Sequence, residues 1–162
     1  CHNSYRDGEG EIVLITYRLE DSMVKNVTVT VIGEQKNSRE EQTVEPIELV
    51  TRGTLHEKDG KYHLKYDEYY EDVDKPTKNL LKFDTQGLDM TKKGEVSAAM
   101  SFRPGETREA FYSTPMGTMN MSILTEGYQM VETDKGLALA VVYIMDYGRD
   151  CLSFNVLKMS IE

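Results

Sequence analysis

The sequence has few of the features that mark disulfide-stabilised, membrane-spanning or nucleic-acid-binding proteins. Its 162 residues include only two cysteines, Cys1 and Cys151. Two cysteines are too few for a disulfide framework or a metal cluster, so we expect a reducing compartment, the cytoplasm. The apolar run at residues 12–16 is far shorter than the ~20 residues of a transmembrane helix. With 28 acidic and 19 basic residues the net charge is -9, which disfavours binding to nucleic acids.

The short motifs of common enzyme classes are also missing. No serine lies in a Gly-x-Ser-x-Gly turn, neither cysteine has a histidine at a recognisable spacing, and there is no phosphate-binding loop or dinucleotide fingerprint. We therefore predict that the protein is not an enzyme and needs no cofactor. His56 and His63 flank a predicted hairpin and could approach each other, but the alternation turns His63 outward, so we predict no metal site.

The clearest positive signal is a regular alternation of apolar residues between Val96 and Met121. Apolar side chains occupy every second position up to Phe102, a turn containing Pro and Gly follows at 103–105, and the alternation resumes after a second turn at 114–117. A period of two, interrupted by Pro and Gly, is typical of antiparallel strands with one buried face. This stretch therefore predicts a three-stranded meander.

The same pattern continues through the rest of the chain, with turn signals about every ten residues. Asp59-Gly60 predicts a type I′ hairpin turn, and Gly53 within a predicted strand indicates a bulge or a kink. Because the connections are short, closure into a barrel is favoured over a Greek-key sandwich, and closure removes exposed strand edges. We predict one all-β domain, an antiparallel, mostly up-and-down β-barrel of about eight to ten strands.

Several turns and strand positions occur together in an order that resembles a known family. They are Thr51-Arg52-Gly53, the hairpin at 58–66, Met100-Ser101-Phe102 with Gly105, Thr114-Pro115-Met116-Gly117, and the closing strands at 137–143 and 152–161. This order is similar to the YwiB-like family of small bacterial proteins, a domain of unknown function with a lipocalin-like (calycin-type) barrel. The resemblance covers residues 23–162. It implies a lipocalin-like fold and a bacterial, cytoplasmic origin, and it supplies no catalytic residues.

Residues 1–22 are predicted to be an N-terminal extension outside the resemblance. Ile12–Leu19 is a strand candidate that would add to the same barrel or to a neighbour's, and the second arrangement gives a homodimer. Cys1 has two interpretations. A mature bacterial lipoprotein begins with an acylated cysteine, which would anchor the chain to lipid; the alternative is a chain processed or cut from a longer one.

The positions predicted to face the interior combine aromatic rings, methionines and one carboxylate. Glu68 shares the parity of Tyr62 and Tyr66, and a carboxylate inside a barrel needs a partner, which Arg52 or Arg103 could supply. The candidate ligand-binding residues are Tyr62, Tyr66, Glu68, Met100, Phe102, Arg103, Tyr112, Met119, Met121 and Tyr143. Such residues are also ordinary core filling, since a barrel of about eight strands can be packed by its own side chains.

Two functions are consistent with these patterns. The barrel could bind a small, partly apolar or amphipathic ligand, whose polar end Glu68 and an arginine would hold. Alternatively, the domain could be a protein-interaction or structural module that acts through its acidic surface or through an exposed strand such as Ile12–Leu19. A hollow interior would favour the first.

Overall fold

Ten β-strands alternate with short connections along residues 23–39 and 45–162, the part of the chain that this computed structural model describes. In chain order they are β1 (Met23–Lys36), β2 (Ile47–Lys58), β3 (Lys61–Glu68), β4 (Thr77–Asp84), β5 (Gly87–Lys93), β6 (Ser97–Phe102), β7 (Thr107–Thr114), β8 (Gly117–Glu132), β9 (Leu137–Gly148) and β10 (Cys151–Ile161). None of the described segments is a helix that could cross a membrane. The predicted strand Ile12–Leu19, Cys1 and a homodimer built on that strand fall outside these residues and stay predictions.

The strands form a closed antiparallel barrel in which each strand pairs with the next in sequence. The ring closes where β10 pairs with β1, with Val29 opposite Ile161. Beyond that pair, Thr28 and Glu162 exchange backbone hydrogen bonds of 3.4 and 2.9 Å. Closure provides hydrogen-bond partners for the backbone N–H and C=O groups that would be unpaired at the two edges of an open sheet. The predicted all-β, up-and-down barrel is confirmed, with ten strands.

The period-two pattern sets which side chains face the interior. In β4, the side chains of Thr77, Asn79, Leu81 and Phe83 are buried, whereas Lys82 between them is exposed. Successive side chains of a strand point to opposite faces, so the same alternation along all ten strands builds one continuous interior.

Two glycine-containing positions test the predicted turn and the predicted bulge. Asp59 and Gly60 have φ angles of 56° and 78°, as a type I′ turn requires, so the hairpin prediction is confirmed. The prediction of a bulge at Gly53 is wrong, because β2 pairs with β1 and β3 without a register shift, with Gly53 opposite Val27 and Tyr66. A Cβ at Gly53 would lie 2.7 Å from the Lys65 carbonyl oxygen. This glycine therefore permits a close approach of two strands.

The interior divides along the barrel axis into two halves of different chemistry. At the end that carries the β2–β3, β4–β5 and β8–β9 turns, which we name the apolar end, aliphatic and aromatic side chains fill the space. They include Val27, Leu55, Leu64, Leu81, Phe83, Leu88, Leu139 and Ile161. The opposite end, reached by the β3–β4, β5–β6 and β9–β10 turns, is named the polar end. Its inward residues include Glu68, Asn79, Lys92, Tyr143, Ser153 and Asn155.

Candidate ligand-binding cavity

A cavity of about 560 Å³ lies inside the polar end. It is lined by residues of β1, β2, β3, β5, β6, β9 and β10, among them Val31, Gly33, Leu49, Tyr66, Glu68, Met90, Lys92, Met100, Phe102, Tyr143 and Asn155. Its volume falls within the roughly 300–1,000 Å³ that is usual for small-molecule sites. Among the residues that the structure describes, aliphatic and aromatic side chains thus pack the interior towards the apolar end, whereas the polar end contains this cavity.

An ion pair between Glu68 and Lys92 forms the charged wall of this cavity. Lys92 Nζ donates to Glu68 Oε1 at 2.6 Å and to Asn79 Oδ1 at 2.7 Å, and Asn79 Nδ2 donates to the same Glu68 oxygen at 2.9 Å. The side chains of Lys92 and Glu68 are 13% and 20% exposed. Burial raises the pKa of Glu68, but the hydrogen bonds from Lys92 and Asn79 and the Lys92 charge outweigh it, so the pKa lies below its usual value.

The donors around Glu68 all meet one of its two oxygens. Tyr70 also donates to Oε1, at 3.5 Å, while Oε2 has no hydrogen-bond donor among residues 23–39 and 45–162. Asn155 shows a similar asymmetry, since its Nδ2 donates to the Ser153 oxygens at 3.0 and 3.2 Å and its Oδ1 accepts nothing from the described residues. Two acceptors on the cavity wall therefore remain available.

Tyrosines surround the carboxylate and bring hydroxyl groups into the same space. Tyr66 is only 5% exposed, and within the described ranges neither its hydroxyl nor that of Tyr143 has a hydrogen-bond partner. Burial raises the pKa of Tyr143 to about 12. Burial and then the Glu68 charge raise the pKa values of Tyr66, Tyr70 and Tyr112, that of Tyr70 to about 12. All four phenols are therefore neutral at physiological pH.

Seven of the ten residues predicted to bind a ligand lie in or beside this region. Tyr66, Glu68, Met100, Phe102 and Tyr143 line the cavity, and the Phe102 and Tyr143 rings pack edge to face at 4.8 Å. Two more lie in the barrel interior. Tyr112 is half-buried and close enough for Glu68 to raise its pKa, and Met121 is buried in the core. Whether these residues bind a ligand stays a prediction.

The other three predicted residues lie elsewhere. Tyr62 is at the apolar end, stacked on Phe83 with ring centroids 5.2 Å apart. Met119 has the expected parity but is 48% exposed, because it lies near the β7–β8 turn, where the inner face meets solvent. Arg103 Nη2 lies 3.0 Å from Asp89 Oδ2. Asp89 lies between buried Leu88 and Met90, so alternation places its side chain on the outer face of the barrel, and Arg103 pairs there.

Arg52 is exposed and has the outward parity on β2, three positions before buried Leu55. The predicted arginine partners for Glu68, Arg52 or Arg103, are therefore wrong, and Lys92 takes that place. The sequence Lys92-Lys93-Gly94 indicates a turn, but β5 continues through Lys93. Lys92 consequently has the inward parity of Met90, two positions earlier. Asn79 was also missed, although it stands two positions before the inward Leu81. The inward position of both residues therefore follows from the alternation of buried and exposed positions along their strands.

His56 and His63 lie next to each other on the outer face of the barrel. His56 is directly opposite His63, with ring centroids 6.1 Å apart, so the predicted approach across the hairpin is confirmed. Partial burial, the largest cause, and the charges of Lys82, His56 and Lys65 lower the pKa of His63. In the described part of the chain, no three His, Cys, Asp or Glu residues are grouped so that they could hold a metal.

Comparisons with known proteins agree with this architecture. A crystal structure of the ywiB protein from Bacillus subtilis is similar with a TM-score of 0.73 over 90% of this chain and 97% of that chain. The two sequences are 18% identical, so this likeness shows the fold. The search of curated proteins found no match. A family described as "Domain of unknown function (DUF1934)" matches residues 29–159. The chain therefore belongs to this DUF1934 family, the YwiB-like proteins that its turns and strand positions resemble.

Proposed function

We propose that the protein is a non-enzymatic binding protein that holds a small, partly apolar ligand in the polar end of the barrel, in a lipocalin-like manner. The observation that carries the proposal is the 560 Å³ cavity, whose wall contains polar atoms that have no hydrogen-bond partner among residues 23–39 and 45–162. These atoms do not belong to the buried unpaired side-chain atoms of the described residues, which are Thr77 Oγ1 and Thr125 Oγ1, so solvent still reaches them. A ligand that covers them has to supply hydrogen bonds, because an unpaired buried polar group costs about 1–3 kcal/mol. The hydroxyls of Tyr66 and Tyr143 and Glu68 Oε2 can gain such partners from a bound molecule.

The distribution of residues along the axis suits a ligand with an apolar and a polar part. Met90, Met100 and Phe102 lie toward the packed apolar end, and Glu68 and Asn155 lie on the polar side. Methionine and aromatic side chains adapt to apolar guests of different shape, whereas a few fixed polar groups set the orientation. We therefore orient the ligand with its apolar part toward Phe102.

The lowered pKa of Glu68 favours a binding function over a catalytic one. Glu68 has a lowered pKa and is held by Lys92, Asn79 and Tyr70, which makes it a weak proton acceptor at neutral pH. A general base works best with a pKa close to the working pH. The Glu68–Lys92 pair thus suits fixed electrostatic recognition better than proton transfer.

Gly33 offers a direct test, because it lines the cavity and an added Cβ there would meet nothing within 4 Å. Its φ is not in the left-handed region, so a larger side chain is not strained. Gly33→Phe should occupy part of the cavity and weaken binding of the neutral fluorescent probe N-phenyl-1-naphthylamine by about tenfold or more. Gly33→Ala, which adds one methyl group, is the matched control and should bind as the original chain does.

Fluorescence titration of the probe, with circular dichroism as the check of folding, decides the outcome. Saturable binding that is lost only in Gly33→Phe supports the proposal. No binding to the original chain, or equal binding to a folded Gly33→Phe variant, would overturn it. If Gly33→Phe does not fold, Val31→Phe on the same inner face of β1 replaces it.

A further inference from the structure

We infer that the polar part of the ligand is a protonated amine, so that the cavity binds an amphipathic alkylammonium compound with its charged group at Glu68 Oε2. This inference rests on the proposed binding function and adds the chemical class of the ligand. Three independent features of the cavity wall support it: the hydrogen-bond acceptors left free, the balance of charge, and the aromatic rings.

The free hydrogen-bonding atoms match an ammonium group. Such a group has three donors and no acceptor, so it needs acceptors around it. Glu68 Oε2 and Asn155 Oδ1 accept nothing from the described residues, and the neutral hydroxyls of Tyr66 and Tyr143 can also accept. A carboxylate oxygen is the strongest of these acceptors, because hydrogen bonds between ions are about twice as strong as neutral ones.

The charges on the wall favour a cation over an anion. Glu45 and Glu68 line the cavity, and Lys92 is the single basic residue among the described lining residues. A ligand carboxylate would approach Glu68 as a like charge, which is unfavourable in a partly desolvated site. The protein as a whole carries a net charge of -9, so its long-range field also attracts cations.

The aromatic rings provide a second attraction for a positive charge. Tyr66, Phe102 and Tyr143 line the cavity that contains Glu68. The face of an aromatic ring attracts a cation within about 6 Å, most strongly where water is excluded. The site already accommodates one ammonium, that of Lys92 on Glu68 Oε1, and the ligand would take the opposite oxygen of the same carboxylate.

Three eight-carbon compounds that differ only in their polar group test the inference: octylammonium, 1-octanol and octanoate. Each displaces N-phenyl-1-naphthylamine from the original chain at pH 7, below the concentration at which it aggregates. We expect octylammonium to act at a concentration about tenfold lower than octanoate, with octanol between them. In Glu68→Gln this preference should fall to about threefold or less, because the free acceptor loses its charge.

Asp67→Asn is the matched control, since Asp67 precedes Glu68 on β3 and alternation turns it to the outer face. It removes the same charge from the protein and should keep the preference for octylammonium. If octanoate binds as well as octylammonium while the probe still binds, the inference fails and the proposed binding function stands. If the probe does not bind to the original chain, both fail. Should Glu68→Gln not fold, the order of the three compounds on the original chain decides.

Discussion

Lys92→Met is the most informative single change, because it leaves the Glu68 carboxylate inside the barrel without its cationic partner. Lys92 donates to both Glu68 and Asn79, and methionine has a similar length without a charge. Breaking a fully buried ion pair by removing one partner costs about 3–5 kcal/mol. Here both side chains keep some exposure and Glu68 Oε2 borders the cavity, so we expect a loss of about 2–3 kcal/mol in the free energy of unfolding at pH 7.

The pH dependence of the free energy of unfolding provides a second, independent test of this prediction. The folded pKa of Glu68 is lowered, so its stabilisation is present above the unfolded pKa and is lost as the pH falls through the folded one. Without Lys92, burial, the largest single cause, is opposed by the Asn79 and Tyr70 hydrogen bonds alone, so the folded pKa of Glu68 rises and acidification more readily removes the unpaired charge. The difference in stability between the two proteins should therefore shrink from pH 7 to about pH 5.

Urea denaturation of the original chain, Lys92→Met, Glu68→Gln and the double variant measures these quantities. The double variant removes both charges of the pair, so we expect it to be more stable than Lys92→Met, with a coupling energy of about 2 kcal/mol. A cost of less than about 0.5 kcal/mol for Lys92→Met at pH 7, or a cost that does not shrink on acidification, would refute the reasoning.

Two further predictions concern packing, and urea denaturation measures both. Gly53→Ala should cost about 1–3 kcal/mol, because its Cβ would lie 2.7 Å from a backbone oxygen, whereas Gly33→Ala should be neutral or stabilising. Leu81→Ala, at a fully buried position, should cost about 3–5 kcal/mol, and the exposed neighbour Lys82→Ala less than about 0.5 kcal/mol. Equal costs for the two glycine variants would contradict the close approach at Gly53, and equal costs for Leu81→Ala and Lys82→Ala would contradict the assigned faces of β4.

The fold could be predicted because a period of two needs no knowledge of distant residues. In β3, Leu64 and Tyr66 alternate with exposed His63 and Lys65, and the Asp59-Gly60 turn sets where that strand begins. Repeated along the chain, such local signals indicate antiparallel hairpins, and the avoidance of free edges leads to closure.

The site could be predicted only in part, because alternation gives the face of a side chain and not its depth along the barrel axis. Tyr62 and Tyr66 have the same parity, yet one lies at the apolar end and the other in the cavity. Pairing across the interior also depends on register between strands that are not neighbours. For this reason Glu68 was identified from its own strand, while its partner Lys92 on β5 was not.

The pairing of β1 with β10 has a consequence for how the chain folds. Every other contact between neighbouring strands is a hairpin that can form as soon as its two strands exist, whereas this one joins the two ends of the described chain. Long-range pairing has to overcome a larger loop-closure entropy and is slow. During synthesis the sheet would remain open, with β1 and β9 as exposed edges, until β10 is made. We therefore expect the protein to be most prone to aggregation during synthesis, before β10 pairs with β1 and closes the barrel.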